Sequence, residues 1–176
     1  MRCIARRGVR GLRVQEVTRE AGVSPGLLYY HFGDRAGLLA AALVFVSDRA
    51  ARYTADSDEQ DPVAQIRHAL LAELQDRADV IENSSAWGEL RASAIFEPAL
   101  QAPLAAATQE WNEAITELVV AAQRRGTARA ELHPGVVAAM LTALVEGLSN
   151  RWLSGSLVLA DARLQLSGAI AHILLD

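Results

Sequence analysis

Val14-Gln15-Glu16-Val17-Thr18-Arg19-Glu20-Ala21-Gly22-Val23-Ser24-Pro25-Gly26-Leu27-Leu28-Tyr29-Tyr30-His31-Phe32 reads as a helix, a glycine turn and a second helix. Two helices meeting at a tight bend need a small residue before the turn so that they approach, a glycine able to take positive φ at the bend, and an apolar residue beyond it to pin the angle. Ala21, Gly22 and Val23 fill those places in order. Ser24 is placed to cap the second helix, which leaves that helix's first backbone N–H groups facing outward toward phosphate. On that helix Leu28 and Phe32 read as packing residues and Tyr29 and Tyr30 as phosphate-facing. His31 has no second His, Cys or carboxylate at ligand spacing, so no metal site is expected.

Charge supports the same reading once it is divided along the chain. The formal net charge is −4, yet residues 1–40 hold seven arginines against three acids, a net of +4, and the remainder holds ten arginines against eighteen acids, a net of −8. A basic end on an acidic body is the polarity of a chain in which only the first part approaches phosphate. All seventeen basic residues are arginine, which a GC-rich coding bias explains.

Ala21-Gly22-Val23-Ser24, then Gly26, Leu28, Tyr29, His31-Phe32, Arg35 and Leu38-Leu39, resemble in order and spacing the tetracycline-repressor (TetR) family of bacterial regulators. The likeness is local over about residues 4–45; beyond it, Gln123-Arg124-Arg125-Gly126 and Leu144-Val145-Glu146-Gly147-Leu148 are weaker echoes. The resemblance implies a cytoplasmic, ligand-responsive transcriptional regulator, a repressor that a small molecule releases from double-stranded DNA. It implies a homodimer on a palindromic operator, with a recognition helix at about 25–31 in the major groove of half-sites about 34–36 Å apart, or a multiple of that. By the same resemblance Ser24, Tyr29, Tyr30, His31 and Arg35 contact or position phosphates, which sets affinity and register.

Two departures alter the expectation. Pro25, Gly26 and Leu27 stand where the family often has a polar side chain for a base edge; Leu27 can touch a thymine methyl, but bidentate bonding from this segment is not available. Specificity then rests on DNA shape or on Arg13 and Gln15 at the start of the preceding helix, and Arg13 stands where the family commonly has a Thr cap. The second departure is that residues 1–7 read as only the last two turns of a first helix that the family carries whole. An upstream-extended chain is therefore expected to gain helicity and DNA affinity.

Hydrophobic residues make up 51% of the 176-residue chain and aromatics only 5%, so the apolar mass is Ala, Leu and Val, which favours helices over a sandwich of strands. Gly and Pro punctuation predicts about nine helices: three short ones, then helices at about 35–53, 63–81, from 83–85 to 96, 98–124, 134–153 and from 161 to near the end. The acidic stretch Asp56-Ser57-Asp58-Glu59-Gln60-Asp61 reads as a loop that ends in a cap. The expected architecture is all-α, with a three-helix DNA-binding domain at 1–45 and a helical ligand-binding and dimerisation bundle at 46–176. Cys3 is the one cysteine, the start lacks the apolar run of a signal peptide, and the apolar stretches 37–47 and 136–145 fall short of a bilayer span. No membrane association and no cofactor are expected.

The large rings of the body divide between packing and function. Trp87, Leu90, Arg91, Phe96, Trp111 and Ile115 are candidates for an apolar effector pocket between helices, against core or dimer packing for the same rings. The last two helices are apolar around more than one face, and Met140, Leu144, Leu148, Trp152, Leu166, Ile170 and Ile173 are candidates for a dimer interface. Glu73, Asp76 and Arg77 read as a solvated face. His68, His133 and His172 read as surface or capping residues; no nucleophile, paired carboxylate or metal set suggests an enzyme. The rival reading is a helical small-molecule-binding protein with weakened or lost DNA binding, favoured by the short first helix and the apolar recognition segment.

Overall fold

Proline and glycine place most of the helix ends. The computed structural model describes residues 1–55 and 59–175, and among them the chain is all helical: α1 Arg2–Arg7, α2 Val14–Ala21, α3 Pro25–Phe32, α4 Arg35–Ala55, α5 Pro62–Leu71, α6 Ala78–Ala94, α7 Gln101–Arg124, α8 Pro134–Leu153 and α9 Leu159–Leu174, with a 3-10 turn at Pro98–Leu100. Pro25, Pro62 and Pro134 sit in the first turns of α3, α5 and α8, where the missing N–H is no loss and the ring's φ suits the helix. Asp61 caps α5 by accepting the Ala64 N–H at 3.0 Å. Residues 56–58 of the acidic stretch lie outside the described residues.

Contacts divide the chain into two units. The first is Met1–Arg49 with Glu82–Ala107, the second Ala50–Ile81 with Thr108–Asp176. The first is built around Ile4, Val9, Leu39, Leu43, Val46, Ala86, Leu90 and Leu100. The second is larger, with Ile66, Leu70, Leu74, Ile115, Val119, Leu141, Val145, Leu148, Leu166, Ile170 and Leu174 at its centre. Its tightest pairing is α8 on α9, with α5 against both.

Three helix limits differ from the sequence expectation. The apolar pattern from 63 to 81 is broken: α5 stops at Leu71 and α6 begins at Ala78. Arg163 of α9 donates from one guanidinium nitrogen to the carbonyls of Leu71 at 3.0 Å and Leu74 at 2.6 Å, so carbonyls at a helix end gain a charged donor from another helix. Asn83-Ser84-Ser85 is not a cap but lies inside α6, where the Asn83 side chain donates to the Val46 carbonyl of α4 at 3.1 Å. α9 starts two residues earlier than Asp161, at Leu159. A second arginine repeats the device at the far end of α9, where Arg129 donates to the Ile173 carbonyl at 2.9 Å.

Replacing Arg163 by Ala is expected to lower unfolding stability by about 2–4 kcal/mol, because two part-buried carbonyls lose a charged donor. Urea unfolding of the full chain measures it, with Arg163→Lys recovering part of the loss. A loss below about 0.5 kcal/mol, the ordinary range for surface changes, would show that water serves those carbonyls equally well.

Candidate functional site

The bend between α2 and α3 is two caps set back to back. Gly22 takes φ 67° and ψ 28°, a conformation that strains any residue with a Cβ. Its N–H donates to the Arg19 carbonyl at 3.3 Å and the Val23 N–H to the Thr18 carbonyl at 3.0 Å, the paired bonds of a Schellman ending. Ser24 then accepts the Leu27 N–H at 3.2 Å and opens α3. The buried residues of the two helices are Thr18 and Leu28. Ala21, the small residue expected at the crossing, is exposed.

α3 and the start of α2 present Arg13, Gln15, Ser24, Pro25, Gly26, Leu27, Tyr29, Tyr30 and His31 to solvent. Tyr30 is 83% exposed and meets His31 edge to face at 5.4 Å. Phe32, read as a packing residue, is also exposed. Arg13 holds the N-cap position of α2 with extended backbone and makes no side-chain cap bond, so its guanidinium is left outside. Arg19, which the sequence reading passed over, is exposed on the same helix. Among the described residues neither Arg13 nor Arg19 forms an ion pair.

Arg35 requires a correction. Its guanidinium, expected to be free for phosphate, is already engaged: it donates to Glu97 at 2.9 Å and to the Val9 carbonyl at 2.9 Å, with the side chain 41% exposed. Other arginines of the basic end are paired at the surface: Arg2 and Arg6 each meet Glu20 at 3.0 Å and Arg7 meets Glu16 at 2.5 Å. α1, α2 and the start of α4 also form a half-open hollow of about 200 Å³ lined by residues that include Cys3, Ile4, Leu12, Val17, Leu38 and Ala42.

The six candidate pocket residues fall in different places. Leu90 and Ile115 are packed into the cores of the first and second units respectively. Trp87 and Arg91 form a cation–ring pair at 5.3 Å on α6. Phe96 is a correction: it is 69% exposed, with the Arg10 guanidinium over its ring at 5.2 Å. Trp111 lies against the core of the second unit.

Glu73 is a further correction, since it is not part of a solvated face. The residue keeps some exposure, but its carboxyl group is enclosed by protein in the second unit, where it accepts the Tyr53 hydroxyl at 2.7 Å. Burial pushes its pKa up to about 7; the Tyr53 hydrogen bond acts against this, and the Glu146 carboxylate of α8 adds to it. No spacing pattern signals the group, because its members come from α4, the turn after α5 and α8.

Of the candidate interface residues, Met140 is 54% exposed and Leu144, Trp152 and Ile173 are partly buried. Leu148, Leu166 and Ile170 are enclosed in the core of their own unit, where another chain does not reach them. The apolar surface that α8 and α9 leave bare is Val136, Met140 and Leu164.

Comparison with known proteins agrees with this geometry. A family described as bacterial regulatory proteins, tetR family, matches residues 1–42, and one described as BetI-type transcriptional repressor, C-terminal, matches residues 62–175. The HTH-type transcriptional regulator TtgR of Pseudomonas putida is 28% identical over 171 residues, which is 86% of this chain and 75% of that protein. A crystal structure assigned to the TetR family of transcriptional regulators, from Rhodococcus sp., is 49% identical with a TM-score of 0.90 and covers 98% of this chain and 93% of its own. A regulator from Saccharomonospora viridis, crystallised in complex with choline, has the same fold at 22% identity, with a TM-score of 0.82 over 99% of this chain and 93% of its own.

Two outcomes follow from the buried charges. Arg35→Met leaves the Val9 carbonyl and Glu97 without their donor and is expected to speed hydrogen exchange at the Val9 amide and its neighbours; unchanged protection would show that the guanidinium is dispensable. For Glu73 the folded pKa of about 7 exceeds the ordinary 4.5, so the stability carried by the protonated form is complete below pH 4.5 and is lost as pH rises through 7. Glu73→Gln is expected to remove that slope and to be more stable than the parent at pH 8, by about 2–3 kcal/mol. Urea unfolding of both chains at acid and alkaline pH checks it, and parallel pH profiles would refute it.

Proposed function

The chain belongs to the TetR family of bacterial transcriptional regulators, and we propose that it works as a homodimeric, cytoplasmic repressor that a small molecule releases from a palindromic operator. By role, residues 1–45 read DNA and 46–176 hold the effector and the dimer contact. The observation that carries the proposal is α3: a capped, outward-facing helix whose first turn, both tyrosines and His31 are open to a duplex. A helix N-terminus with unpaired N–H groups attracts phosphate, and Arg13 and Arg19 bring unpaired positive charge to the same head.

Specificity follows from what α3 lacks. Its first turn is Pro25, Gly26 and Leu27, without a side chain that bonds a base edge, so discrimination falls to Arg13 and Gln15 and to the shape of the DNA. The bare apolar surface of Val136, Met140 and Leu164 on α8 and α9 supports pairing of two chains about a two-fold axis. No described helix is long and apolar enough to cross a membrane. The S. viridis regulator of this fold binds choline, which supports a small effector held among the helices of the body. Release from DNA requires the effector to bind the free and the DNA-bound conformations with different free energy.

Selection of genomic fragments by the purified chain at near-physiological salt tests the proposal: an enriched palindrome is expected, and only diffuse, salt-sensitive recovery would instead favour a small-molecule-binding protein that has lost sequence-specific DNA binding. On the selected operator, Tyr30→Ala is expected to weaken binding to all sequences alike, by about 1 kcal/mol. Arg13→Ala is expected to relax preference at single positions of each half-site by about 1–3 kcal/mol. Uniform weakening by Arg13→Ala would move that residue to the phosphate contacts.

A further inference from the structure

Of the seven arginines in residues 1–40, four are engaged by acids: Arg2 and Arg6 by Glu20, Arg7 by Glu16 and Arg35 by Glu97. Arg10 is engaged in another way. Its guanidinium carbon stands 5.2 Å from the centroid of the exposed Phe96 ring, and among the described residues its side chain has no hydrogen bond or ion pair. A ring face draws positive charge without supplying a carboxylate or carbonyl, so the fork of N–H donors stays unbonded.

Both ends of this side chain are nevertheless held. At the backbone, Val9 gives its N–H to Glu89 and its carbonyl to Arg35, and the Leu12 N–H returns to the same carbonyl at 3.2 Å. Gly11 lies so near the Arg7 carbonyl that a Cβ there would stand 2.6 Å from it. The segment on either side of Arg10 is therefore fixed without help from Phe96. What the ring adds is a place for the guanidinium at the tip of a long, rotamer-rich stem. A charged group ordered in advance loses less freedom when it docks.

We propose that Arg10, stationed on the Phe96 ring, contacts a backbone phosphate of DNA beside the segment that α2 and α3 read, and that Phe96 is its positioning residue. This rests on the DNA-reading role given above and extends the contact surface beyond α2 and α3 to the turn that follows α6. Arg13 is the N-cap of α2, and three residues span at most about 11 Å, so both unpaired arginines come to the same end of that helix. The planar fork of Arg10 matches a pair of phosphate oxygens. A duplex offers such pairs in series, to Arg10, Arg13 and the exposed face of α3 together, whereas a single anion offers one. The exposure of Phe96, costly for a ring that merely fills space, is what a platform for an outward-facing cation requires.

The test is fluorescence anisotropy of the full chain on the selected operator and on a random duplex of equal length, between about 50 and 200 mM salt. Arg10→Gln is expected to weaken both by about tenfold and to make the log–log salt slope shallower by about two, one phosphate for each protomer of a dimer. Arg10→Lys is expected to keep the parental slope. Phe96→Leu, similar in bulk but without a π face, is expected to weaken both duplexes by about two- to threefold while Phe96→Trp does not. A parental slope in Arg10→Gln, whether affinity falls or not, would overturn the contact, since a merely structural arginine changes stability and leaves the phosphate count alone. Equal affinity of the Leu and Trp variants would overturn the part given to the ring. Inorganic phosphate at about 10 mM that displaces duplex from the parent but not from Arg10→Gln, at matched ionic strength, would assign the fork to a free anion instead. An operator bound with an unchanged slope in Arg10→Gln would sink only this contact; absence of an enriched palindrome would sink the operator reading, and the slope on random duplex would still decide Arg10.

Discussion

A peptide group from which water is excluded has to find both its partners in the protein, and in the first unit that constraint falls on Val9. The residue is fully buried. Its N–H donates to the Glu89 carboxylate of α6 at 3.0 Å and its carbonyl accepts from Arg35 of α4 at 2.9 Å, while Arg35 is itself held by Glu97. Each bond has a charged member, which makes it shorter and stronger than a neutral one. Gly8 is part of the same arrangement: at φ 71°, a Cβ there would stand 2.5 Å from the Glu89 carboxylate. The connection between α1 and α2 is therefore gripped from two other helices. The placement of α2, and of the α3 that its Schellman ending leads into, depends on this grip.

That dependence explains which parts of the head were legible in its residues. Gly22, Ser24 and Pro25 act through bonds spanning three to five residues, so the bend and the exposed face of α3 follow from local chemistry. Arg35 looked like a phosphate contact because its charge is local and its partner is not; Glu97 lies 62 positions away. The same limit hid the break between α5 and α6, where the decisive donor, Arg163, is 89 to 92 positions from the carbonyls it serves. Glu73 read as solvated beside the exposed Asp76 and Arg77, and only folding sets it against Tyr53 and Glu146. In α8 and α9 the difficulty was different: both are apolar on more than one side, and periodicity alone does not say which stripe meets its own core. Leu148, Leu166 and Ile170 took that stripe, leaving Val136, Met140 and Leu164 outside.

The basic end is less free than its net charge suggests, and the manner of pairing matters. Arg2, Arg6 and Arg7 are bound to Glu20 and Glu16 through side chains about 60% exposed on the arginine side. Exposed pairs of this kind contribute little to stability and are screened by salt, so these arginines leave their carboxylates at small loss. Arg35 cannot do so without releasing the Val9 carbonyl. One population of arginines is thus held in exchangeable surface pairs and another holds the head in shape, although composition makes no distinction between them.

The two units also treat buried charge in opposite ways. Around Val9 every charged group has a complement: Glu89 a peptide N–H, Arg35 a carbonyl and a carboxylate. A compensated cluster of that kind resists change, because removing any member strands the others in a poor dielectric. Glu73 instead takes its hydrogen bond from a neutral hydroxyl, and burial and the Glu146 carboxylate both act against its ionisation. A carboxyl so placed keeps its proton to higher pH, and its contribution to stability changes with pH. Rigidity in the first unit and pH sensitivity in the second then follow from the same cost of burying charge, met in one by opposite charges and in the other by a proton.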